Sequence, residues 1–241
     1  MREQTLRING RPVRLVWKQV KRMTLRIKAD GSLWVTLPVS GTAAAAEAFV
    51  RSRERWIEEK LRQRAEKPAP PELRLVTGET LPLWGRPVTL QIKETAGTWR
   101  RAVLKGDALE LVCRPEDGFE ARRQILFRFY QEEVKRQLTL LIPECQQAVG
   151  RQASGWTIHP TKSRWGSCTV RTGKIRISTL LAAFPVPCMK GVVIHELCHL
   201  LVSGHGPKFY AEMDRAWPEW RRWDPLLKKG EPVLRRLFIS G

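Results

Sequence analysis

Four histidines occur in the 241-residue chain, and three of them, His195, His199 and His205, fall within eleven residues. The first two belong to the run His195-Glu196-Leu197-Cys198-His199. On a helix, residues four apart stand one turn apart on the same face, so the two imidazoles point the same way and can share a cation. The flanking apolar residues Met189, Val192, Val193, Ile194, Leu197, Leu200 and Leu201 go nearly all the way round such a helix. This predicts a helix over about 188–203 that is buried on most sides. Two imidazoles and a carboxylate are costly to bury there as hydrogen-bonded core residues alone, whereas a metal ion makes their burial intelligible.

A catalytic zinc site takes three ligands from the protein and keeps a fourth position for water. Gly204 lets the chain turn sharply after the helix, and His205 follows directly, so it is the expected third ligand of one Zn2+ per chain. Glu196 is rotated off the ligand face. In this motif it is not a ligand but a general base, placed to take a proton from the attacking water and pass it to the leaving group. The ion lowers the pKa of water toward ~7 and polarises the scissile carbonyl. Three neutral imidazoles leave the full dipositive charge on the metal. The expected chemistry is hydrolysis, first of a peptide bond. The same activated water can attack phosphorus, and Lys162, Arg164, Lys174 and Arg176 precede the helix, so a phosphoanhydride of a nucleotide is the second substrate class.

Other residues carry weaker signals. Arg164 and Trp165 either face the cleft, with Arg164 holding a substrate carboxylate or phosphate, or form a solvated charge and a core ring. Tyr210 can donate to an oxyanion or pack beside Phe209 on the histidine helix. Cys168, as a fourth ligand, would turn the site into a closed structural one. Cys198 reads as a small core residue and His159 as a strand-end residue.

The elements that must position these groups are legible in the patterning. Val13, Leu15 and Trp17 alternate along one strand and Leu25 and Ile27 along another. Ala29-Asp30-Gly31-Ser32 is a turn into Leu33–Leu37. Thr42 is placed to cap a helix bearing Phe49, Trp56, Ile57 and Leu61, and residues 67–71 (Lys-Pro-Ala-Pro-Pro) read as a stiff linker. The stretch Gly10–Lys18 then aligns with Gly85–Lys93, which suggests two copies of a hairpin-helix unit. A long helix over Phe119–Val149, with Pro143 inside it, short strands near 155–159, 164–169 and 174–178, and helices over Pro207–Ala216 and Pro218–Leu227 complete the chain. The expected class is α+β, with units at 1–66 and 67–117 and a catalytic domain at 118–241.

The formal charge is +19, and most of the excess of Lys and Arg lies in residues 1–66 and 151–241. Such a field attracts polyanions, nucleic acid or nucleotides among them, or simply keeps the protein dispersed. No dedicated nucleic-acid-binding motif accompanies it. The five cysteines form no CxxC pair. The N-terminus lacks the apolar core of a secretory signal, and no run is long enough to span a bilayer, so a cytoplasmic protein without a membrane partner is expected.

Ser163-Arg164-Trp165-Gly166-Ser167-Cys168, a short strand and then the run from Val192 to Met213 resemble the YgjP-like metallopeptidases, relatives of the WLM and SprT-like zincins. The N-terminal hairpins, the Ala-rich helix with Arg51–Trp56, and Trp217–Arg222 also look like that family. The spacing HExxH-x5-H is one of the zincin patterns. The resemblance implies a zincin-like core, one zinc held by the three histidines, Glu196 as base and a protein or peptide substrate. The family usually has INLNWRL where this chain reads Ile175-Arg176-Ile177-Ser178-Thr179-Leu180-Leu181, so the apolar alternation survives and the asparagines and tryptophan do not.

Overall fold

The computed structural model describes residues 2–28, 30–66, 73–161, 163–230 and 232–239, apart from the side chain of Arg64. The start of the turn at Ala29, the linker at 67–71 and Lys162 lie outside them. The chain divides into two compact units, Met1–Ala69 and Pro70–Gly241. No helix among the described residues is long and apolar enough to cross a membrane.

In the first unit, β1 (Glu3–Ile8), β2 (Arg11–Lys18), β3 (Thr24–Ile27) and β4 (Leu33–Pro38) form one sheet in the order β1-β2-β4-β3. Asn9 and Gly10 both have positive φ, which matches the twist of a two-residue hairpin between β1 and β2. β2 runs parallel to β4, and β3 pairs antiparallel with β4 at the sheet edge. One face of the sheet, with Val13, Leu15, Leu33, Val35 and Leu37, packs on Ala46, Val50 and Ile57. Thr42 Oγ1 accepts from the Ala45 N–H at 3.1 Å, as its type predicts. The single helix expected after it is two, α1 (Ala43–Arg51) and α2 (Glu54–Ala65). Ser52 Oγ donates back to the Phe49 carbonyl at 2.9 Å at the break, the local competition that ends helices at serine.

In the second unit, β5 (Thr80–Leu83), β6 (Arg86–Glu94), β7 (Arg101–Lys105) and β8 (Ala108–Cys113) form a sheet in the order β5-β6-β8-β7, again with the second and fourth strands parallel. It is followed by α3 (Phe119–Val149), a three-stranded sheet of β9 (Gly155–His159), β10 (Gly166–Thr169) and β11 (Lys174–Ser178), and a 3-10 turn at Thr179–Ala183. The chain ends with α4 (Val186–Cys198), α5 (Pro207–Ala216), α6 (Trp220–Lys229) and α7 (Pro232–Ile239). Leu81, Leu83, Leu90 and Leu111, then Leu126, Tyr130, Val134 and Leu138 of α3, and Val193, Ile194 and Leu197 of α4 all belong to one core.

The start of α4 is pinned by the β5–β6 turn. The Trp84 N–H donates to Ala182 O at 2.6 Å, and Trp84 Nε1 donates to Glu133 at 2.9 Å. Gly85 lies at φ +81, and a Cβ there would stand 2.6 Å from Pro185 Cγ, so only glycine fits between the turn and the N-cap of α4. The β8–α3 junction is held by Asp117. Arg100 donates to both its oxygens at 2.7 Å, and the Arg114 N–H adds a third bond at 2.8 Å. These bonds, led by Arg100, hold the carboxyl at about 2, below its ordinary 3.8. A depressed carboxyl contributes stability above its unfolded value that is lost as pH falls through the folded one. Asp117→Asn is therefore expected to lower Tm by a few degrees at neutral pH, the difference closing between pH 3.8 and about 2. Parallel thermal scans across that interval read it, and a gap independent of pH contradicts it.

Candidate metal centre

The histidine helix ends one turn earlier than expected. α4 stops at Cys198, and His199 is its C-cap in αR conformation. His195 and His199 therefore still share a face, with ring centroids 4.9 Å apart. Gly204 (φ +79) reverses the chain and brings His205 back, with its ring 4.9 Å from that of His195 and 4.8 Å from that of His199. His195 Nε2 and His205 Nε2 are 3.0 Å apart, and the candidate donor atoms of all three residues lie within 4.8 Å of one another. They are the one His/Cys/Asp/Glu group among the described residues converging in this way.

The surroundings prepare His195 and His199 to donate lone pairs. Burial, then the neighbouring His199 and His205, push His195 down to about 4. Burial also lowers His199. Neutral imidazole is the ligating form. His199 Nδ1 lies 3.4 Å from the Val202 carbonyl, which fixes Nδ1 as the donor and leaves Nε2 for the ion. The fully buried Phe209, from the first turn of α5, lies 4.7–4.9 Å from each imidazole and forms a common floor.

Glu196 is buried beside this cluster and is not one of its donors. Burial pushes its carboxyl up to about 7, and the charge of Arg164 opposes that shift. The Glu196 side chain lies against the backbone of Gly166, where a Cβ would come within 2.6 Å of Oε1. Both groups open on a cavity of about 650 Å³. One wall is β10 with Arg164 and Trp165, and the other is α6 with Trp220, Trp223, Asp224, Leu227 and Lys228.

Trp165 lines this cavity while packing edge-on against Phe184 at 5.0 Å, so it is both wall and core. Tyr210 is not among the lining residues. It stacks on Trp220 at 5.9 Å and is 40% exposed. Cys168 lines the cavity but stands outside the donor cluster, Cys198 is buried, and His159 is an exposed residue at the end of β9. Lys174 and Arg176 are exposed on β11 and do not line the cavity. β11 is the central strand, so the departure from INLNWRL falls partly on a strand with no free edge, at 175–178, and partly on the 3-10 turn, at 179–181; β10 is the edge strand at the cavity. Sequence reading missed Gly166, the Val202 carbonyl, the Phe209 floor and the α6 wall. The last had a signal: residues 220, 223, 224, 227 and 228 follow helical spacing on one face.

A family model described as YgjP-like, metallopeptidase domain, matches residues 21–230. Among solved structures, the metallopeptidase zymogen of Pyrococcus abyssi abylysin is similar at 23% identity, over 39% of this chain and 94% of that chain, with a TM-score of 0.35. No curated protein matches the chain.

Proposed function

The chain belongs to the YgjP-like metallopeptidase family, and from that premise we propose that it is a zinc-dependent peptidase with His195, His199 and His205 as ligands and Glu196 as general base. The observation that carries this reading is the convergence of three imidazoles beside a buried glutamate at a cleft. The donor types fit the ion, and one pair of donors is already at its spacing. Tetrahedral zinc with nitrogens at about 2.0–2.1 Å sets donors about 3.3 Å apart, and His195 and His205 place theirs at 3.0 Å. All-imidazole ligation with no thiolate is a catalytic rather than a structural set. One zinc per chain would activate a water molecule and polarise the carbonyl.

The rest is done by the chain's own residues. Glu196 accepts the proton of the attacking water at a carboxylate oxygen and returns it to the leaving amine. Its raised pKa lets it hold that proton near neutrality. β10 presents an outer edge to the cavity, where an extended substrate can pair as an added strand. Arg164 orients a substrate carboxylate or carbonyl, Trp165 and the α6 tryptophans take apolar side chains, and Tyr210 supports that wall through Trp220. Residues 118–241 carry every group in this reading, and the strands over 80–113 share one core with α3 and α4. Of the basic residues that motivate a phosphoanhydride substrate, Arg164 alone among those described lines the cavity, which favours the peptide.

The test offers the zinc-loaded protein casein, fluorogenic peptides and nucleoside triphosphates in parallel. Peptide cleavage that stops with 1,10-phenanthroline and returns with added zinc is the expected result. Phosphate release without peptide cleavage overturns the proposal.

A further inference from the structure

A second candidate binding surface lies in the first unit, remote in sequence from the histidines. β3 is the edge strand of its sheet. The Lys28 N–H donates to Ser32 O at 2.8 Å, which continues the pairing of Ile27 with Leu33. Hydrogen-bonded pairs alternate in an antiparallel ladder, so Thr24 and Arg26 bond to β4 while Leu25 turns its N–H and C=O to the open edge. Along that edge runs a groove between β3 and the α1–α2 helices. Its apolar lining is Met23, Leu25, Phe49 and Trp56, with Trp56 45% exposed. Arg53 lies over the Phe49 ring at 3.8 Å.

The charge beside the groove is uncompensated. Lys21, Arg22, Arg26, Arg53 and Arg55 are exposed, and among the described residues none has a carboxylate partner. The unit's glutamates are paired elsewhere, Glu3 with Arg14, Glu47 with Arg51, Glu54 and Glu58 with Arg11, Glu59 and Glu66 with Arg62, and Asp30 accepts from the Ser32 N–H at 2.9 Å. The outward backbone groups of Leu25, the adjacent apolar groove and cations with no carboxylate partner among the described residues together specify one kind of occupant.

We propose that this groove docks an extended acidic polypeptide segment, which adds to β3 as a new edge strand and drops alternate apolar side chains between β3 and Trp56. Backbone pairing supplies affinity, alternate apolar side chains reach the groove beside Arg53, and the intervening carboxylates point to the opposite sheet face, that of Arg26. A nucleic acid could use the cations and the aromatic faces but not the backbone edge, so the peptide is favoured. The proposal does not depend on the peptidase reading, because docking requires neither metal nor Glu196.

The experiment uses the full chain carrying Glu196→Gln, so that the probe stays intact. The probe is a short fluorescein-labelled peptide alternating glutamate with valine and leucine, read by fluorescence anisotropy. Trp56→Ala and the double variant Arg26→Glu/Arg53→Glu are each expected to weaken Kd by about tenfold. The same peptide with alternate amides N-methylated should weaken by a similar factor, without any change to the protein. A lysine-for-glutamate peptide should not bind. Thermal scans confirm that the variants, which change exposed side chains, remain folded. The proposal is overturned if the parent peptide fails to bind, if the N-methylated peptide binds equally well, if Trp56→Ala leaves Kd unchanged, or if a single-stranded oligonucleotide displaces the probe more tightly than unlabelled peptide does.

Discussion

Glu196→Gln is expected to lower kcat for peptide cleavage by about a thousandfold while metal content stays at that of the parent. The substitution keeps the shape of the side chain and removes its ability to accept a proton. Because Glu196 is not one of the converging donors, the three imidazoles should hold the ion as before. Stability should not fall, since burial penalises the charged carboxylate and a neutral amide avoids that penalty. Elemental analysis, kcat and Tm of the same preparation separate the possibilities. Loss of the metal would make Glu196 a ligand, and retention of more than about a tenth of the activity would place the base elsewhere.

The imidazole cluster was legible because its chemistry is local. Two candidate ligands one helical turn apart and a third after a glycine require only a helix and a reversal, and both follow from short-range pattern. The way α4 ends was not legible. A buried apolar run gives no stop signal until Gly204, yet the helix closes at Cys198, which frees the Val202 carbonyl to receive His199 Nδ1. Alternation marked the strands, but the parallel pairing of β2 with β4 and the central place of β11 are long-range properties. That is why the strand with a free edge at the cavity could not be chosen from sequence. The face of α6 shows the same limit. Trp220, Trp223 and Leu227 repeat at helical spacing, which predicts a common face but not whether it meets core or cleft.

Gly166→Ala is expected to reduce kcat by about a hundredfold with metal content unchanged. The added Cβ would stand 2.6 Å from Glu196 Oε1, 2.8 Å from Cγ and 2.9 Å from Cδ. Three contacts along one side chain cannot be relieved by turning the carboxylate alone. The strand cannot back away cheaply either. Gly166 pairs with Ile177, and the neighbouring Ser178 N–H donates to Trp165 O at 2.8 Å. Glu196 must therefore swing out of position, and displacement of a reacting group by about an ångström is costly in rate. Gly155→Ala, in β9 of the same sheet, meets nothing within 4 Å and should leave kcat unchanged. Combining Gly166→Ala with Glu196→Gln decides whether the effect runs through the carboxylate. If it does, the double variant loses little more than Glu196→Gln alone. If the two losses multiply, Gly166 acts on the substrate or on the ligands, and its role as the seat of the base is lost.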